Sequence, residues 1–574
     1  MAQGAPPIFV FAPPVQRSSS PAPKVVVQHS PKLSEPKSNS FAPPKVVNAR
    51  MAHKGGTPNY AEQQLDLIHS NHEVTVGKAL AGTGKTTTAV GFANARPDSS
   101  MLYLAFNTEN AKEGRQRFGA NVDSKTTHSV AYSKLTDEQK GRVEFRWNAL
   151  TVKNAMGDKG TYRMAGIVCA IINDFCVSAD GDFDADLHGQ SARDRLGAQD
   201  DAIILGTRLA RDFWKKMWTP GTGYPISHDA YFKRFVMGQP NLGREYVIFD
   251  EFQDANPVTA QLVKMQHELY GTKLLYLGDE HQSIYAFRGA QDAMASLPAG
   301  AHHYPLTQSW RFGPRTAQLA NLILRELKEE RLQLEGMGED RDWNPNAPYA
   351  YLARTNAELI AQAVAVMGEG VHWVGGIDRY RIDLLQDVWS LASHRHHDIR
   401  DRYIAQNFRT WAEYEEVALV TADPEMRIMV KLVEDYADQI PEIVMQLKMN
   451  AVKTSADSRL ILTSLHRSKG LEFDQVKIGD DSEICAPAED WLAKRVLDQP
   501  YPTQEVNLGY VGLTRGRKSV QPSSDMEQWV KDLQSHRKER KRSMKEAQPI
   551  QAPAQSEGES QKAGFGRLSV PRFS

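Results

Sequence analysis

Ala79-Leu80-Ala81-Gly82-Thr83-Gly84-Lys85-Thr86 follows a short apolar strand-like run and leads into a helical one. A phosphate-binding loop needs this context. Glycines let backbone N–H groups approach phosphate oxygens, a lysine neutralises the β and γ oxygens, and a hydroxyl ligates Mg²⁺. Gly82, Thr83, Gly84, Lys85, Thr86 and the following Thr87 are therefore the nucleotide-binding candidates. Ala79 occupies the first pattern position, where glycine is usual, so on its own the stretch also reads as a plain glycine-rich turn.

The next signal downstream is Tyr246-Val247-Ile248-Phe249-Asp250-Glu251, an apolar strand that ends in two acids. Asp250 would hold Mg²⁺ through water, and Glu251 would orient or deprotonate an attacking water. The pair supplies hard oxygen donors with no His/Cys cluster beside it, which suits Mg²⁺. Further strand-like runs recur at 102–106, 274–277, 349–353, 460–462 and 476–478, separated by amphipathic helical stretches. That alternation predicts an α/β fold with parallel sheets. Two intervals break the rhythm and read as mainly helical, 132–218 and 377–457, so each is a candidate insertion.

The flanks differ from this middle. Residues 1–58 hold 11 prolines and seven Lys/Arg against one acid. Such a segment buries too little apolar surface to offset its ordering entropy and is expected to be disordered. It repeats Phe-Ala-Pro-Pro at 11–14 and 41–44, and a protein partner docking on it is the functional alternative to a flexible tail. A helical pattern after Asp525 runs into Arg537-Lys538-Glu539-Arg540-Lys541-Arg542, and 547–574 reads as a second disordered tail. The chain has 574 residues and a net charge of −1. Residues 1–58 carry +6, 531–546 carry +4 and 547–574 carry +1, which leaves −12 on 59–530. A uniformly basic nucleic-acid coat is thus excluded; any grip on nucleic acid by the middle must use stacking or a narrow groove. Three cysteines (169, 176 and 485) fit a reducing interior and no disulfide framework. No apolar run approaches a membrane span, and no membrane association is expected.

From Asp250 the chain continues Phe252-Gln253-Asp254, and later Gly278-Asp279-Glu280-His281-Gln282-Ser283-Ile284-Tyr285-Ala286-Phe287-Arg288-Gly289. In order around these lie Gln63, Phe106-Asn107, Thr126-Thr127-His128, Ser309-Trp310-Arg311-Phe312 and Arg354-Thr355-Asn356. Thr463-Ser464-Leu465-His466-Arg467-Ser468-Lys469-Gly470-Leu471-Glu472-Phe473 and Tyr510-Val511-Gly512-Leu513-Thr514-Arg515 complete the series. The set resembles the UvrD/Rep-like helicases of superfamily 1A over roughly 59–530. Ser227-His228-Asp229-Ala230-Tyr231 and 401–453 resemble the F-box DNA helicase branch. The proline-rich stretch shows no F-box, so no ubiquitin-ligase role is carried over.

The resemblance implies two RecA-like P-loop domains with ATP between them and 3′→5′ movement on single-stranded DNA. The first domain (1A) would comprise 59–131 and 219–295, with insertion 1B at 132–218. The second (2A) would comprise 296–376 and 458–530, with a reduced insertion 2B at 377–457, followed by a basic helix and tail at 531–574. By resemblance Gln63 would read adenine, Gln282 would sense the γ-phosphate, Arg311 and Arg515 would reach it from 2A, and Glu472 would contact the ribose or couple the domains. Lys85, Asp250, Glu251, Gln282, Arg311 and Arg515 form the catalytic set. Tyr285 and Phe287 would stack on bases and Arg288 would meet the backbone; Asn107, His128, Asn356 and His466 complete the DNA side. Three positions depart from the family: Ala105 stands where many relatives have Phe, Phe287 where many have Trp, and Asn507 where some have Arg. The expected function is an ATP- and Mg²⁺-dependent DNA helicase acting on single-stranded and forked DNA inside the cell, in the cytoplasm, nucleoid or nucleus. The alternatives are a DNA-dependent ATPase that displaces proteins after tail-mediated recruitment, and an RNA helicase.

Overall fold

The computed structural model describes residues 47–48, 59–157, 160–285, 293–298, 300–366, 369–421, 423–481 and 503–546. Its first sheet has six parallel strands. In spatial order they are Val122–Thr126, Met101–Ala105, Tyr246–Asp250, Lys273–Gly278, Val74–Ala79 and His302–Leu306. Every residue of Met101–Ala105 and Tyr246–Asp250 is buried. Such continuous apolar runs arise when helices cover both faces of a parallel sheet. The helices Lys85–Asn94, Thr108–Arg117 and Pro257–Tyr270 connect these strands.

The second sheet is also parallel, in the order Gly516–Gln521, Leu471–Ile478, Tyr349–Ala353, Leu460–Ser464, Val371–Trp373. Val47–Asn48 adds to it antiparallel at Leu471 and Glu472. Two parallel sheets flanked by helices make the two RecA-like domains. All the expected strand runs fall on strands. Apart from Val47–Asn48 and the helix Ser524–Glu546, the two expected tails lie outside the described residues.

One expected boundary needs correction. His302–Leu306 belongs to the first sheet, with Thr75 opposite His302 and Ala79 opposite Leu306, so the first domain extends past 295. Its sequence, His302-His303-Tyr304-Pro305-Leu306, carries no apolar alternation and contains a proline, which a sheet tolerates on an edge strand. The helix His228–Met237 bridges the first lobe and insertion 1B, sharing one core with Val258, Leu262 and Met265 of the helix Pro257–Tyr270. The helix His228–Met237 places Ala230, Tyr231, Phe232 and Val236 in one core with Ile167, Ile171, Phe175 and Phe213 of the insertion. The stretch 377–457 is helical as expected, and its core is continuous with Trp373, Leu460 and Leu462 beneath the second sheet. The two insertions meet where Arg146 pairs with Asp401 at 3.0 Å and the Asn148 amide donates to the Tyr403 hydroxyl at 2.9 Å. Among the described residues, no helix is long and apolar enough to cross a membrane.

Candidate functional site: a nucleotide cleft between two lobes

In an open parallel sheet the loops after the strand carboxyl ends share one edge, and ligands bind there. Ala79 leads into the phosphate loop, Asp250 into Glu251, Gly278 into the Asp279–Gln282 turn, and Leu306 into the segment carrying Ser309 and Arg311. One sheet edge thereby gathers residues that are far apart in sequence.

The phosphate loop turns at Gly82 (φ 74°) and Gly84 (φ 82°), both left-handed. A Cβ on Gly82 would meet Ser309 Oγ at 2.3 Å and Arg311 Cβ at 3.0 Å, and one on Gly84 would meet Gln64 Nε2 at 2.9 Å. Glycine is thus required twice, by backbone conformation and by close approach. Gln64 belongs to no recognised motif, yet it holds this loop. Its amide donates to Thr83 O (3.3 Å) and Thr88 Oγ1 (3.0 Å), while its carbonyl accepts from Ala61 N, pinning the loop to the preceding helix. Its neighbour Gln63 is held by Thr307, through the Thr307 N–H (2.9 Å) and hydroxyl (3.0 Å). Thr87 accepts from Arg117 at 2.8 Å.

Thr86 Oγ1 donates to Asp250 Oδ2 at 2.8 Å, and the Tyr103 hydroxyl donates to the same oxygen at 2.7 Å. Asp250 is buried, and burial together with the neighbouring Glu251 charge pushes its carboxyl above the usual range. A buried carboxylate beside a part-buried hydroxyl is a pair of hard oxygen donors that fits a divalent cation such as Mg²⁺, with Thr86 and Asp250 as the residues that would hold it. Glu251 has φ 61°, the left-handed region that costs a non-glycine residue about 1 kcal/mol or more. This turn aims its carboxylate at Lys85 Nζ (3.4 Å) and Lys469 Nζ (3.6 Å). Burial works against the charge, but Lys85 and Lys469 outweigh it and hold Glu251 well below the usual carboxylate range.

The second lobe closes the cleft. Arg311 donates to Glu472 Oε1 at 2.6 Å and to Thr514 O at 3.0 Å. Arg515 is 1% exposed, and its hydrogen-bond partners are neutral: Val511 O, Thr514 Oγ1 and Gln282 Oε1, the last at 3.2 Å. Burial and the nearby Arg311 charge lower its guanidinium to about 9. A buried cation at a cleft with neutral partners fits an anion, here a phosphate. Gln282 also donates to Asp279 at 2.6 Å. Lys469, to which its motif assigns no role, reaches across the lobes to Asp254 and to Gln282 O (2.6 Å). Burial still lifts the Asp254 carboxyl to about 6 against that lysine. The Tyr510 hydroxyl accepts from Ala81 N at 3.0 Å, and Leu80, Ala81 and Ile284 share one apolar core with the second lobe. The six expected catalytic residues and Glu472 therefore meet in one cleft.

The expected DNA-side residues are more dispersed. Tyr285 stacks on Phe106 with centroids 5.0 Å apart and 21° between planes, and its hydroxyl donates to His466 O at 3.3 Å. Phe106, out of step with the family position, thus joins Tyr285 and His466 in one group. His128 stacks on Phe232 (4.9 Å) and faces Asp229 at 3.2 Å. Asn107 is an exposed helix N-cap that accepts from Asn110 N at 2.8 Å, and Asn356 opens a helix capped by Thr355. Phe287 and Arg288 lie outside the described residues.

A phosphate loop and strand-end carboxylates in one RecA-like lobe, faced by two arginines from another, with a helical insertion in each, make the chain similar to UvrD/Rep-like superfamily 1 helicases. Residues 240–296 match the UvrD/REP helicase N-terminal domain. The chain is similar to F-box DNA helicase 1 of Gallus gallus, 28% identical over 553 residues (89% of this chain, 53% of that protein). It is also 28% identical over 508 residues to F-box DNA helicase protein 1 of Schizosaccharomyces pombe (78% of this chain, 55% of that one). A shorter stretch of 83 residues is 35% identical to the RecB subunit of the RecBCD enzyme of Escherichia coli, covering 14% of this chain and 7% of RecB. The chain spans about half the length of the two F-box DNA helicases.

Proposed function

We propose that this chain is an ATP-driven DNA helicase that moves 3′→5′ on a single strand and unwinds duplex ahead of it, acting on DNA inside the cell in replication, repair or recombination. The observation that carries the reading is the cleft itself. Lys85, Asp250, Glu251 and Gln282 come from one lobe and Arg311 and Arg515 from the other, and Gln282 and Arg515 are hydrogen-bonded across it at 3.2 Å. Hydrolysis is then conditional on the lobes meeting, and alternation between open and closed states can advance a strand.

In this reading Gly82 to Thr87 cradle the phosphates and Lys85 neutralises the β and γ oxygens. Thr86 and Asp250 would hold a Mg²⁺ ion, which would supply neutralisation of phosphate charge. A phosphate that takes Lys85 frees the Glu251 carboxylate to orient the attacking water. Arg311 and Arg515 stabilise the charge that spreads over the transferred phosphoryl group, a contribution of roughly 10³–10⁵ in rate for an arginine finger. On the nucleic-acid side, Tyr285 and Phe106 offer π-faces that grip any base, at about 1–3 kcal/mol per stacked base. Gln282 and Tyr285 lie on one short segment, so the γ-phosphate and a base are sensed three residues apart.

Lys85→Ala tests the motor reading. DNA-stimulated ATP hydrolysis is expected to vanish while circular dichroism and melting temperature stay as in the wild type. Retained wild-type turnover would sink it. Comparing stimulation by DNA and RNA oligonucleotides assigns the track, and DNA is the expected activator.

A further inference from the structure

One ion-pair cluster at the lobe boundary has no part in the chemistry above. Glu330 sits just beyond the second-lobe helix Pro314–Leu327. Its Oε1 accepts the N–H groups of Arg331 (2.7 Å) and Leu332 (2.8 Å), and its own N–H donates to Leu324 O at 2.9 Å. The carboxylate is therefore fixed before it meets anything across the boundary. Its Oε2 accepts from two first-lobe groups, Lys78 Nζ (2.8 Å) and His281 Nε2 (2.9 Å), and Lys78 also pairs with Glu280 at 2.8 Å. The side chains of Glu330 and His281 are 7% and 4% exposed. The hydrogen bond from His281, with those from Leu332 and Lys78, outweighs burial and holds the Glu330 carboxyl well below the usual range.

The two first-lobe partners are placed tellingly. Lys78 immediately precedes Ala79, where the phosphate loop begins, and His281 immediately precedes Gln282. One second-lobe carboxylate thus holds both the strand beneath the phosphate loop and the turn that presents Gln282. Asn507 grips the same turn from a second direction, donating to Ser283 O at 2.7 Å.

We infer that Glu330 is a positioning residue, an interlobe latch that holds the cleft closed by binding Lys78 and His281 together. Opening the cleft separates a preorganised carboxylate from Lys78 and His281, so the latch favours the closed arrangement. Its effect on turnover rests on reading the cleft as an ATP site; its effect on lobe closure does not.

The test uses the full chain with site-specific fluorophores at Leu269 and Met337, both exposed and on opposite lobes. Glu330→Gln keeps the shape and an acceptor for the backbone amides but removes the charge. Without nucleotide, the wild type is expected to populate the short interlobe distance, and Glu330→Gln to shift to a longer one. ADP–aluminium fluoride should restore closure in the variant. In ATPase assays KM for ATP should rise about tenfold with kcat within about twofold, because ATP can close the cleft by its own contacts. Lys78→Met should give the same shift, and the double variant no more than either single change, the signature of one shared interaction. An unchanged interlobe distance in folded Glu330→Gln and Lys78→Met would overturn the latch. If the wild type hydrolyses no ATP, the nucleotide-free distances still decide it, so failure of the latch and failure of the motor reading are told apart.

Discussion

Arg515 shows what one residue does in this cleft. A guanidinium 1% exposed, with neutral hydrogen-bond partners and a folded pKa lowered to about 9, is costly to bury unless an anion joins it. In the proposed ATP reading a phosphate at the Gln282–Arg515 contact would supply that anion, and the favourable electrostatics would then act on the reacting group. Arg515→Ala is accordingly expected to cut ATP turnover by roughly 10³-fold or more, while equilibrium binding of ADP changes little. Stopped-flow turnover and calorimetric ADP binding check the two halves; an equal loss in both would make Arg515 a binding residue only. The motif residues at this scale were legible because each chemical role restricts the residue type: a lysine after two glycines, two acids after an apolar strand. Gln64, Lys469 and Tyr510 were not, since their roles depend on partners 19 to 429 positions away, as for Gln64 with Thr83 and Tyr510 with Ala81.

Among the elements, strands with buried apolar runs were readable, whereas His302–Leu306 was not, because an edge strand needs neither alternation nor a full set of N–H donors. Helix His228–Met237, placed with the first lobe by its position after 218, packs on Tyr162–Val177 of the insertion as well as on Pro257–Tyr270 of the first lobe. That helix carries Lys233, 1% exposed, whose Nζ donates to Ser178 O (2.8 Å) and Asp180 O (2.6 Å) and so ties a loop of the insertion to the helix. Burial lowers this ammonium to about 8, whereas the unfolded chain holds the proton up to about 10.5. Between those values the unfolded state binds more protons, so the contribution of Lys233 to stability rises with pH. Urea unfolding of wild type and Lys233→Met should therefore diverge in favour of the wild type between about pH 7.5 and about pH 9.5. A pH-independent difference would show that the lysine is not buried as a cation.

For the molecule as a whole, the near-neutral charge conceals a division between basic ends and a strongly acidic middle, with −12 on 59–530 against a net −1. Bulk attraction cannot hold DNA on such a body, so a grip on DNA would rest on stacking faces such as Phe106–Tyr285 and on closure of the two lobes. The lobe arrangement itself was readable only as a resemblance. What joins the lobes lies in cross-boundary contacts no single stretch encodes: Tyr510 with Ala81, Lys469 with Asp254, and Glu330 with Lys78 and His281. Movement of a strand through this closing cleft is the central claim. The direct measurement is ATP-dependent unwinding of 3′-tailed, 5′-tailed and forked duplexes by the full chain. Unwinding of the 3′-tailed and forked substrates and none of the 5′-tailed one is expected; unwinding from a 5′ tail alone, or none from any substrate while ATP is hydrolysed, would contradict 3′→5′ movement of the strand.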